Sequence, residues 1–147
     1  MTLRICGPPR SKPLPRFDRA LLARRARGLL RALGESRSEL SLALVDDAEM
    51  ASLNQAHRGK SGPTDVLSFS LLEGPHAGFR SRLLGDVVID VEQAARQARR
   101  ARRTLDDEMA KLLIHGVLHL LGRDHEIDAE ARAMRAEERR LWRALVA

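Results

Sequence analysis

Three of the chain's five histidines fall within eleven residues, "HGVLHLLGRDH" at 115–125. His115 and His119 are four apart. On a helix they share a face, about 6 Å from one another along the axis. The surrounding "LLIHGVLHLL" is aliphatic at nearly every angle, which predicts a central, buried helix. Two imidazoles buried together disfavour their charged forms, and the neutral ring is the one that ligates a metal. Gly122 can adopt a left-handed conformation, end the helix, and turn His125 onto the open side of the pair. Three histidines plus one open position make a catalytic zinc site, in which bound water has its pKa lowered to about 7. A lone helical histidine is more often a satisfied core residue. This three-residue spacing favours the metal.

The spacing equals that of the metzincin pattern, H-E-x-x-H-x-x-G-x-x-H. One position departs from it. Gly116 stands where the metalloprotease carries its general-base glutamate, so the metal geometry is kept while peptidase chemistry lacks its base. A zinc metallopeptidase therefore ranks below other hydrolases. Asp124 and Glu126 flank His125, and either could orient a ligand ring or accept a proton, as could metal-bound hydroxide. His57 and His76 have no partner at ligand spacing and read as surface residues.

The elements that must position these residues follow from periodicity and caps. "LRIC" is a short strand, and "GPPRSKPLP" is a loop because proline removes backbone donors. A helix runs from Asp18 as N-cap to Leu33, with Gly34 just beyond its end. "ELSLALV" (39–45) alternates as a strand. Asp46 and Glu49 open a second helix, which ends near His57. "DVLSFSL" (65–71) and "LLGDVVID" (83–90) are two further strands. Asp90 with Gln93 caps a third helix reaching Arg103, and Thr104 with Asp107 caps the histidine helix. An amphipathic helix covers "DAEARAMRAEERRLWRALV" (128–146). The expected fold is α+β, a small mixed four-stranded sheet flanked by about five helices, as a single domain over 1–147. On the third helix Arg96, Arg99, Arg100 and Arg103 share one face, either a solvated surface or a phosphate-contacting stripe.

The chain has 147 residues and 44% hydrophobic content, which suits one core, and only 3% aromatics, so that core is aliphatic. Its single cysteine, Cys6, excludes an internal disulfide and a cysteine-type zinc site. Formal net charge is +6, and residues 1–37 carry ten Lys and Arg against only Asp18 and Glu35. That asymmetry hints at a polyanionic partner. The scarcity of aromatics puts backbone electrostatics ahead of base stacking for any RNA contact, and Trp142 reads as a packing anchor. No signal peptide or membrane span is visible, so a cytoplasmic protein without a membrane partner is expected. "RGKSG" lacks the first glycine of a phosphate-binding loop and follows a helix, so no nucleotide cofactor is expected.

"HGVLHLLGRDH" resembles the signature of the YbeY family, bacterial rRNA maturation factors described as single-strand-specific metallo-endoribonucleases. "LNQAHRGKSGPTDVLSFS" (53–70) is similar to the family's second block and "LGDVVID" (84–90) to its third. The element order also agrees with that family's small mixed sheet flanked by helices. The resemblance spans about residues 40 to 126. It implies one Zn2+ per chain on His115, His119 and His125, with Arg58 needed for activity, gripping a phosphate oxygen with its planar fork. It also implies action on single-stranded rRNA in maturation of the 16S 3′ end and ribosome quality control, with the small subunit as partner. His57 stands where an aromatic is common in the family, and Ser70 where proline often follows the phenylalanine. A non-catalytic ribosome-assembly factor with a structural metal is the rival reading.

Overall fold

A computed structural model describes residues 2–8, 13–58, 64–70, 83–122 and 128–146, with the side chains of residues 2, 57, 58, 70, 83 and 128–130 outside that description. Short polar side chains set the starts of four helices. In α1 (Arg19–Ala32) the Leu21 N–H donates to Asp18 Oδ1 at 3.0 Å. In α2 (Asp47–Arg58) the Glu49 N–H donates to Asp46 Oδ1 at 2.9 Å. For α3 (Val91–Ala101) Asp90 accepts from Glu92 and Gln93, and for α4 (Leu105–Leu120) Thr104 accepts from Asp107. Each satisfies backbone N–H groups that the first helical turn leaves without partners. A fifth helix, α5, covers Asp128–Leu145.

Four strands, β1 (Thr2–Cys6), β2 (Glu39–Val45), β3 (Val66–Ser70) and β4 (Leu83–Asp90), form one sheet in the order β1-β2-β4-β3. β1 pairs parallel with β2 and β2 parallel with β4, while β3 runs antiparallel to β4. The sheet is mixed and the single domain α+β, as the periodicities predict. Alternation sorts the strand side chains to two faces. Leu40, Leu42, Leu44, Val87 and Ile89 join Leu29, Leu30, Met109, Leu113 and Val117 in the larger core. Val45 and Val88 turn the other way and meet Met50 and Leu67 in a small core under α2. α4 packs on β3 and β4 and is flanked by α1, α3 and α5. The histidine helix is therefore the central one.

The third helix is shorter than its pattern suggests. It stops at Ala101, and Arg102 takes a left-handed conformation with φ 54°. The arginine stripe is consequently dispersed. Arg96 donates to both oxygens of Asp47, at 3.0 and 2.8 Å, and Arg103 pairs with buried Glu108 at 3.0 Å. Two of the four arginines are thus structural, tying α3 to α2 and to α4. Arg25 similarly joins α1 to the start of α4 through the Asp106 carbonyl and the Asp107 carboxylate, both at 3.1 Å.

Candidate active site

α4 brings His115 and His119 onto one face, with Nε2 atoms 3.1 Å apart and ring planes inclined at 64°. Neither ring is buried, in contrast to the sequence expectation. Both are half-exposed, and the His115 side chain retains 35% of its accessible surface. The helix is buried through Leu112, Leu113, Ile114, Gly116, Val117 and Leu118, while the histidine face is open. Gly122 has φ 79° and its N–H reaches the His119 carbonyl at 3.0 Å, closing the helix as expected.

Glu138 on α5 completes the described part of the site. Its Oε1 lies 3.2 Å from His115 Nδ1. The hydrogen bond from His115 holds the Glu138 carboxyl below its ordinary range, reinforced by the positive field of Lys111 and opposed by burial. With Nδ1–H donated to Glu138, His115 Nε2 carries a bare lone pair. Both Nε2 atoms would be available to hold a metal once neither carries a proton. The fit is close: two nitrogens bound to one tetrahedral zinc at about 2.05 Å lie roughly 3.3 Å apart. A carboxylate behind a ligand imidazole is also what such centres use to fix tautomer and orientation.

Glu138 was not found from sequence. It is 23 residues from His115, on a helix rich in acids, and no spacing rule singles it out. His125, Asp124, Glu126, Lys60 and His76 lie outside the described residues. Arg58 ends α2, and its side chain, like that of His57, is outside the description.

Gly116 gives a physical reason for the departure from the metalloprotease pattern. A Cβ there would lie 2.8 Å from Val87 Cγ1, 3.2 Å from Val66 Cγ2 and 3.3 Å from Ser68 Oγ. Ser68 Oγ also donates to the Gly116 carbonyl at 2.8 Å. Position 116 points into the sheet, away from the histidines, and has no room for a glutamate.

A second acidic constellation, Asp47, Asp90 and Glu92, has carboxylate oxygens within 4.8 Å of one another. Several of its oxygens are already engaged. Arg96 holds Asp47 by two hydrogen bonds, Glu92 accepts the Asp47 N–H at 3.0 Å, and Asp90 caps α3. Burial, followed by a hydrogen bond to Asp47, pushes the Asp90 carboxyl up to about 7. The cluster acts as a clasp between the starts of α2 and α3.

Among the described residues, no helix is long and apolar enough to cross a membrane. Residues 18–146 match the family model described as Endoribonuclease YbeY. An "Endoribonuclease YbeY" from Anaeromyxobacter sp. (strain Fw109-5) is 46% identical over 144 residues, covering 98% of this chain and 72% of that protein. One from Pelotomaculum thermopropionicum is 49% identical over 121 residues, covering 80% of each. The solution structure of TM1509 from Thermotoga maritima superposes with a TM-score of 0.66 at 27% identity, over 98% of this chain and 89% of that one.

Proposed function

The chain belongs to the endoribonuclease YbeY family, and from that premise we propose that it is a zinc-dependent endoribonuclease of single-stranded RNA. Its expected substrate is ribosomal RNA, at the 3′ end of 16S and in ribosome quality control, in the cytoplasm and on the small subunit. The observation that carries the metal is the convergence of the His115 and His119 Nε2 atoms to 3.1 Å on a half-exposed face.

His115, His119 and His125 hold the ion, and Glu138 keeps the His115 ring in its ligating tautomer. When bound, zinc supplies Lewis acidity at a phosphoryl oxygen and a water of lowered pKa. Arg58 grips a non-bridging phosphate oxygen, stabilising the charge that builds on phosphorus. The half-exposure of the histidines suits a polymeric substrate, which must approach from outside. It also favours a catalytic centre over the structural metal of a pure assembly factor.

The test is cleavage of a labelled single-stranded RNA by the parent chain, His119→Ala and Arg58→Ala, with zinc content measured on each. Cleavage by the parent, loss in both variants, and loss of zinc in His119→Ala alone are expected. Equal cleavage by all three would assign the activity to a contaminant. Stoichiometric zinc with ribosome binding but no cleavage would favour the assembly-factor reading.

A further inference from the structure

The face of α4 that carries His115 continues to Lys111, one turn earlier. The facing side of α5 presents Arg135, Glu138, Arg139 and Trp142, at helical spacings of three, one and three, so all lie on one stripe. Between the two helices is an open groove of about 440 Å³. Its lining includes Arg103, Lys111, Arg135, Arg139, Trp142 and Arg143. Glu138 also lines it, and through Glu138 the groove adjoins His115.

Charge and chemistry in this groove are one-sided. Five cations line it against one carboxylate, and that carboxylate accepts from His115. Arg103 is committed to Glu108, whereas Arg135, Arg139 and Arg143 have no carboxylate partner among the described residues. These exposed guanidiniums suit an incoming anion with several acceptor oxygens. Trp142 forms an apolar wall. The Arg103 guanidinium lies over its ring, 5.4 Å from the centroid, and the half-buried indole is anchored on the main core. The run along α4 from His119 to Lys111 is about 12 Å. From His115 to Lys111 it is only about 6 Å, so an extended single strand with its phosphate at the histidines directs the adjoining one toward Lys111.

We propose that the α4–α5 groove is a nucleotide subsite of the RNA strand. Lys111, Arg135 and Arg139 bind the phosphate beside the scissile one, and Trp142 walls the space for its nucleoside. This rests on the reading of the histidine face as the cleavage centre. The groove and the centre make separable predictions, because Arg135 and Arg139 touch neither histidine among the described contacts.

Trp142 is the chain's single tryptophan, so its fluorescence reports on this groove alone. The experiment titrates the zinc-loaded protein with a 5′-fluorescein 2′-O-methyl oligouridine, which cannot be cleaved through its 2′ position. Anisotropy and tryptophan emission are followed together at several salt concentrations. We expect both signals to saturate at the same oligonucleotide concentration. R135A/R139A should bind at least tenfold more weakly, with a slope of log affinity against log salt shallower by about 0.7, the single-strand value for one phosphate no longer neutralised. K111A should show a smaller loss in the same direction. Hydrolysis of bis(p-nitrophenyl) phosphate, too small to reach the groove, should be unchanged in R135A/R139A. Parent-like affinity and salt slope in R135A/R139A would overturn the subsite. So would a rise in anisotropy with no change at Trp142, or equal competition by polyglutamate, which would mark a general anion surface. If no RNA is cleaved but the groove variants behave as described, the cleavage reading fails and the subsite stands.

Discussion

Glu138 Oε1 and His115 Nδ1 lie 3.2 Å apart, and this contact joins the last helix to the ring that must present a bare Nε2. Removing the carboxylate takes away the group that fixes the orientation and tautomer of the imidazole at Nδ1. Glu138→Ala is therefore expected to weaken zinc binding by about 10- to 100-fold. Glu138→Gln retains an acceptor oxygen without the charge and should lose less. Competition with a chromophoric chelator measures both. Parent-like zinc affinity in Glu138→Ala would show that the contact does not orient the ligand.

Gly116 is required by the approach of α4 to the sheet. Gly116→Ala puts a methyl group 2.8 Å from Val87 Cγ1 in a fully buried setting. Overpacking of this kind costs about 1–3 kcal/mol. The better helix propensity of alanine returns about 1 kcal/mol. The net expectation is a loss of about 1 kcal/mol, read as a fall in thermal midpoint of about 2–4 °C for a chain of this size. Gly116→Glu should be far more disruptive and should confer no peptidase activity. A stabilised Gly116→Ala would mean that α4 has space beneath it.

The features legible in sequence are those written in local chemistry. Asp18, Asp46, Asp90 and Thr104 cap helices where their place in the sequence predicts, because a cap needs only four consecutive residues. The pair His115 and His119 was equally local. Their exposure was misjudged because residues at every angle of α4 are aliphatic, and periodicity does not say which side a neighbouring helix leaves open. The arginine stripe on α3 failed for a related reason. Asp47 and Glu108, which capture Arg96 and Arg103, come from other elements, and sequence distance conceals such partners. Glu138 escaped in the same way. Local rules find the ligand, while the group behind it depends on how α5 packs.

Asp90 gives the fold a pH dependence of unusual sign. Its carboxyl is fully buried and titrates near 7 rather than at its ordinary 3.8. Between those values the folded chain keeps a proton that the unfolded chain has released. Its contribution is complete below about 4 and is lost as pH rises through 7. Most carboxylates, Glu138 among them, act oppositely and lose stability in acid. Asp90→Asn keeps the capping oxygen and offers a neutral N–H donor toward Asp47. Urea midpoints from pH 4.5 to 8 should therefore fall less steeply on the alkaline side in Asp90→Asn. Parallel profiles for parent and variant would place the proton elsewhere.

Arg103 and Glu108 form an ion pair at 3.0 Å whose carboxylate is almost wholly out of solvent, 2% exposed on the side chain. The partner arginine keeps 31% exposure, so the pair is screened on one side. Arg103→Ala strands the buried carboxylate and also removes the guanidinium over Trp142. Breaking a fully buried pair costs about 3–5 kcal/mol, and partial exposure brings the expectation to about 2–3 kcal/mol. Glu108→Gln leaves no buried charge and should cost less than about 1 kcal/mol. The double variant Arg103→Ala/Glu108→Gln should then recover most of the loss, giving a favourable coupling energy in a double-mutant cycle by urea unfolding. If Glu108→Gln alone is as damaging as Arg103→Ala, the two residues act through packing instead. Additive losses would lead to the same conclusion, with the start of α4 held by its cap and its aliphatic face.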